Sequence, residues 1–141
     1  MYKGEPTKGI DFYNLLVDSE EFTSGLGKVT LASGKLEAEL ILYLMRCGIK
    51  GDFTKATLGT LINKTENNNL LDYNLIIALR QISKQRNYIT HNIYALFIDL
   101  IDETILEKRD LLDSDIHTYL DRVWQLIENL NSLTNVIRQK S

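Results

Sequence analysis

The chain is poor in the residues that interrupt or staple a fold: 141 residues contain one proline, Pro6, and one cysteine, Cys47. Beyond Pro6, therefore, no helix is broken by a missing backbone N–H. A lone cysteine excludes an intrachain disulfide, and no paired Cys/His spacing suggests zinc, so a reducing, cytoplasmic setting is expected. Cys47 reads as a small core residue. No apolar run approaches the length of a bilayer, and Met1 to Thr7 lacks the charged-then-apolar pattern of a signal peptide, so no membrane association is expected. Positive charge is short as well. A formal net charge of −3 argues against a general DNA coat or a polybasic membrane module, since nonspecific phosphate binding needs many cations on one surface. Any nucleic-acid contact has to be local.

What is present is helical periodicity, with 44% hydrophobic residues, enough for one sizeable core. Residues 1–17 mix Gly, Lys and aromatics and read as an arm or short element; residues 18–141 read as one bundle domain. From Asp18 or Ser19, good caps followed by Glu20 and Glu21, a long helix is signalled by Phe22, Leu26, Val29, Ser33, Leu36, Leu40, Tyr43 and Cys47. Gly25, Gly27 and Gly34 weaken it, so close packing against another helix must compensate. Gly48 and Gly51 end it. A shorter helix fits Thr54 to about Lys64, with Leu58, Leu61 and Ile62 inward, before the turn-like Asn67-Asn68-Asn69.

A third helix runs from Leu70 to about Ile93 and on through Leu96, Phe97, Leu100 and Ile101. Its inner stripe is Leu75, Leu79, Ile82, Arg86, Ile89 and Ile93, which makes Arg86 core-facing. The last helix starts near Ser114, with Asp115 in its first turn, and carries Ile116, Tyr119, Leu120, Val123, Leu126, Ile127, Leu130, Leu133 and Ile137. Arg138 and Lys140 suit its C-terminal dipole. No strand alternation or repeat competes, so an all-α antiparallel bundle of four to five helices follows. A carboxylate metal bundle is excluded by spacing, because no Glu-x-x-His pair recurs on two helices. No metal or other cofactor is indicated.

The chemistry concentrates in the third helix. A second row reads Arg80, Lys84, Asn87, His91 and Tyr94, at spacings of four, three, four and three. Between Asp72 and Asp99 there is no acidic residue, so Arg80, Lys84 and Arg86 make a local positive surface toward which an RNA backbone would be guided. Arg86 and His91, five apart, point roughly 140° away from each other on a regular helix of 3.6 residues per turn. Either the helix breaks between them, at Asn87 or Thr90, or a two-fold dimer brings one subunit's Arg86 beside the other's His91.

The run Arg86-Asn87-Tyr88-Ile89-Thr90-His91 resembles the signature of the HEPN superfamily, an Arg, usually followed by a polar residue, with a His a few residues on. The all-helical layout, the motif's place in the second half and Glu37 within the first long helix fit the same resemblance, which covers most of residues 19–138. It implies a metal-independent endoribonuclease, commonly a homodimer, of toxin–antitoxin, phage-defence and RNA-processing systems, partnered in some cases by an antitoxin protein. Some members only bind, so the alternative implied is an inactive module that dimerises or docks a protein or nucleic acid. Carried onto this chain, His91 is general base or acid on the ribose 2′-hydroxyl, Arg86 holds the scissile phosphate, and Asn87 positions the phosphate or the imidazole. Cleavage leaves a 2′,3′-cyclic phosphate. Asn92 stands where many members have Gly, and Tyr94 is three residues after the His, whereas the tyrosine modified in members paired with a nucleotidyltransferase is two after.

Each feature also has a plainer reading. Arg86 fits a core Arg paired with Glu37 or another acid. Glu37 sits one residue off the apolar row and either reaches inward to orient Arg86 or stays in water. Tyr88 and Tyr94 either stack RNA bases or pack at the bundle edge with a wet hydroxyl. His117 reads as a surface residue.

Overall fold

α1 and α2 start and stop, and α3 starts, on a short side-chain or backbone device. The computed structural model describes residues 13–14, 16–91 and 111–140, and of residues 90, 91 and 111–118 the backbone only. Four helices order these residues: α1 (Glu20–Arg46), α2 (Leu58–Asn67), α3 (Tyr73–His91) and α4 (Leu111–Arg138). Residues 13–14 and 16–18 are helical too. Ser19 caps α1 as expected, its hydroxyl oxygen accepting the Phe22 N–H at 3.1 Å, with Glu20 and Glu21 in the first turn. At the other end Gly48 takes φ +78°, and the Ile49 and Gly48 N–H groups donate to the Leu44 and Met45 carbonyls, a Schellman closure.

α2 begins three residues later than the run from Thr54 suggests, at a Thr57 cap. Thr54 is drawn instead into a turn in which its N–H donates to Asp52 Oδ1 at 3.0 Å. α2 ends with the same closure as α1, and here Asn69, at φ +53°, takes the role of glycine while Leu70 N–H donates to the Thr65 carbonyl. α3 begins at Tyr73, not Leu70, because Asp72 caps it by accepting the Leu75 N–H at 2.8 Å. Leu70 is used otherwise: its carbonyl accepts the Tyr43 hydroxyl at 2.8 Å, tying the α2–α3 turn to α1, and burial raises that phenol's pKa. Among the described residues α4 is already helical at Leu111, ahead of Ser114. The expected continuation from Ile93 to Ile101 lies outside the described residues.

α1 packs chiefly along α4. The pairs Phe22–Tyr119, Lys28–Trp124, Glu39–Arg138 and Arg46 with the Ile137 and Lys140 carbonyls run in one order along both helices. These two helices are therefore parallel. The antiparallel expectation holds for α3, whose Arg86 meets Glu37 of α1 and whose Arg80 meets Glu66 and Asn63 of α2, but it fails for α1 against α4. The reason is topological: α3 returns the chain, so the helix after it can run with α1 again. Parallel packing puts both C-termini together, and Arg46 donates to the last carbonyls of α4 at 3.2 and 3.3 Å.

One core cluster joins the helices, including Leu36, Leu40, Leu44, Leu61, Leu79, Val123 and Leu130, all fully buried. Leu58, Leu61 and Ile62 face inward as expected, and Ser33 is buried with the α1 stripe, whereas Leu26 and Cys47 are only half-buried. Of the α1 glycines, Gly25 alone meets close packing: a Cβ there would lie 2.6 Å from Val123 Cγ1. Gly27 and Gly34 face open space, contrary to the expectation that packing compensates them. Among the described residues no helix is long and apolar enough to cross a membrane.

Gly25→Ala should lower stability by about 1–3 kcal/mol, since the new methyl overlaps Val123. Gly27→Ala should raise it by up to about 1 kcal/mol, through helix propensity alone. Urea unfolding of the two variants beside the parent checks the sign of each.

Candidate functional site

α3 carries the candidate chemistry because its inner stripe, Ile76, Leu79, Ile82 and Ile89, is buried against the core while Arg86 interrupts it. Arg86 is on the core-facing side, yet it is not buried: about 31% of its side-chain surface remains exposed. Its long stem leaves the stripe and carries the guanidinium to Glu37 of α1, Nη2 to Oε1 at 3.6 Å. Its Nη1 donates to Asn87 Oδ1 at 3.2 Å. Glu37 thus reaches inward to orient Arg86, and Arg86 in turn holds Asn87. The pair with Glu37 is common to the plain reading of Arg86 as a core Arg and to the reading in which Glu37 orients a functional one.

α3 runs without interruption from Tyr73 to His91. The helix does not break at Asn87, which removes one of the two routes by which Arg86 and His91 of one chain could converge. On a continuous helix the two positions lie roughly 140° apart around the axis. His91 is the last described residue of α3, and its side chain, like Tyr94 entirely, lies outside the described residues. So does the side chain of His117.

The second row of α3 faces α2, and together they form an open groove enclosing about 280 Å³. Arg80, Ser83, Lys84 and Asn87 line its α3 side. Gly59 and Ile62 line the other, with Tyr88 at the end nearer His91. Arg80 is not a freely presented cation: its guanidinium is held by Glu66 at 2.5 Å and by Asn63 Oδ1 at 3.0 Å. The reading of a purely positive surface was drawn from one helix, and the acid that offsets it comes from another. Lys84 holds its ammonium 5.5 Å above the Tyr88 ring, which itself packs half-buried against the core.

A second surface went unnoticed in the sequence because its residues were assigned to no stripe. On the outer side of α1, Gly27, Leu31, Gly34, Ala38, Ile41 and Met45 recur at spacings of four and three. Leu31 is 70% exposed, Met45 62% and the adjoining Leu42 48%. The signal that could have found it is the heptad spacing itself, opposite the stronger inner stripe. Among the described residues no three His, Cys, Asp or Glu side chains cluster as a metal site. No protein-family model matches the chain, and neither a curated protein nor a solved structure shows significant similarity to it.

The Arg86–Glu37 pair keeps 31% and 24% of its side-chain surface in water and is 3.6 Å long, so it contributes little to folding. Arg86→Ala and Glu37→Gln should each shift the unfolding free energy by less than about 1 kcal/mol, measured by urea titration followed by circular dichroism. A cooperative loss of structure in either variant would refute this.

Proposed function

We propose that the protein is a metal-independent endoribonuclease of HEPN type, acting in the cytoplasm as a homodimer whose active site combines residues of both subunits. The observation that carries this is the uninterrupted α3: Arg86, oriented by Glu37 and bonded to Asn87, is five residues from His91 on one straight helix. A chain with both groups needs a second copy to use them together.

The outer face of α1 is fitted to that copy. In an antiparallel pair centred at the level of Leu36, Gly27 lies opposite Met45, Leu31 opposite Ile41, and Gly34 opposite Ala38. Small residues thus meet small at the centre, where the axes approach, and the large side chains find a gap or an apolar partner. Each edge of an antiparallel seam meets the same edge of its partner, so the two Glu37–Arg86 edges come together beside the two-fold axis. Each subunit's α3 then lies along the other's.

In the reaction His91 takes the proton of a ribose 2′-hydroxyl, and O2′ attacks the adjacent phosphorus. Arg86 offsets the charge that builds on the phosphoryl oxygens, and Asn87 holds the phosphate or the imidazole. The P–O5′ bond breaks, the 5′-oxygen takes a proton from the His91 imidazolium or from water, and the strand ends in a 2′,3′-cyclic phosphate. The toxin or phage-defence role, and an antitoxin partner, belong to this reading through the motif resemblance. The second reading, a silent module that dimerises or docks a partner, draws on Glu37, which already offsets the Arg86 charge.

Purified protein incubated in EDTA with total RNA and a tRNA pool should produce fragments ending in 2′,3′-cyclic phosphate. Arg86→Ala and His91→Ala should each lower the rate by at least about a hundredfold; unchanged cleavage in His91→Ala would refute the assignment, and no cleavage by folded parent would favour the silent module. Leu31→Glu and Leu42→Glu should convert dimer to monomer in sedimentation velocity and abolish cleavage. In a mixing test, Arg86→Ala and His91→Ala subunits combined should regain up to about a quarter to a half of the activity, because a mixed dimer keeps one intact composite site.

A further inference from the structure

We propose that the groove between α2 and α3 seats one nucleotide of single-stranded RNA beside the cleavage position, and this rests on the ribonuclease reading above. The groove's walls divide by chemistry. Its α3 side carries the Lys84 ammonium, the Ser83 hydroxyl and the Asn87 amide, donors suited to a phosphodiester. Its α2 side is apolar, built on the buried Ile62 and on Gly59, where no heavy atom lies within 4 Å of a would-be Cβ. That missing side chain leaves the groove open for a flat base over Gly59, beside Tyr88.

Size selects the ligand. At about 280 Å³ the groove stands just below the range of roughly 300–1,000 Å³ typical of ligand pockets, so it admits one base and its phosphate, not a duplex. An unstacked base of a single strand fits this description. Arg80 serves as a fixed wall, because Glu66 and Asn63 hold it, and Lys84 is the cation at the mouth. Direction follows from the helix: Arg80, Lys84, Asn87 and His91 share one row, and His91 comes about one turn after Asn87. A strand lying in the groove runs toward the proposed base.

The test uses the full chain in EDTA and a fluorescein-labelled 2′-O-methyl hexanucleotide, which lacks the attacking hydroxyl and stays intact. Gly59→Leu, which fills the groove without changing charge, and Lys84→Ala should each weaken binding by about tenfold or more in fluorescence anisotropy, while Lys50→Ala, outside the groove, stays within about twofold. Circular dichroism confirms that each variant is folded. Binding by Gly59→Leu within about twofold of the parent, or no binding by the parent, would overturn the proposal. Displacement of the strand by adenosine 5′-monophosphate at equal or better affinity would overturn it in favour of a free-nucleotide site. RNA cleavage with groove-independent strand binding refutes the groove and leaves the nuclease standing; groove-dependent binding without cleavage does the reverse.

Discussion

The close parallel packing of α1 on α4 is the constraint from which the rest of the arrangement follows. It requires Gly25, because a Cβ there would lie 2.6 Å from Val123 Cγ1. With the two long helices parallel, their C-termini sit together and Arg46 can donate to carbonyls at the end of α4. One flank of α1 is thereby committed to α4 and its inner stripe to the core, which leaves the other flank, where Glu37 stands, for α3. The position of Arg86 depends on that allotment. With α3 on this flank the guanidinium reaches Glu37.

The proposed site draws on both committed and uncommitted surfaces. Arg86 belongs by position to the core stripe, and its length allows it to leave the stripe for the edge, where a substrate phosphate would have access. Glu37 holds it there at a distance too long, and at an exposure too high, for the pair to be a strong structural tie. The exposed seam on α1 and the groove under Lys84 are the two surfaces to which the proposal assigns a second subunit and a strand.

Much of the fold was legible because its signals are local. The Ser19 cap, the Gly48 stop and the inner stripe of α1 are each written within a few residues, and the backbone obeys them. Errors arose where a local signal had a competitor. Thr54 was free to cap a helix, yet Asp52 two residues earlier captured its N–H. Asp72 was a capping residue passed over in favour of the apolar Leu70, whose carbonyl instead accepts the Tyr43 hydroxyl. Gly27 and Gly34 were given the same role as Gly25, since spacing alone does not tell which side of a two-faced helix meets a neighbour.

The amino-acid sequence by itself determined the helical character of the described residues, the approximate extent of α1 and α2, and the grouping of Arg86, Asn87 and His91 on one helix, because periodicity and capping act over one or two turns. Tertiary structure alone decided that α1 and α4 run parallel, that Glu37 faces Arg86, and that Glu66 offsets Arg80. It also decided that the helix stays continuous between Arg86 and His91. These depend on which helix faces lie together, and contacts between residues dozens of positions apart are set by the packing of side-chain volumes, which no single stretch of sequence contains.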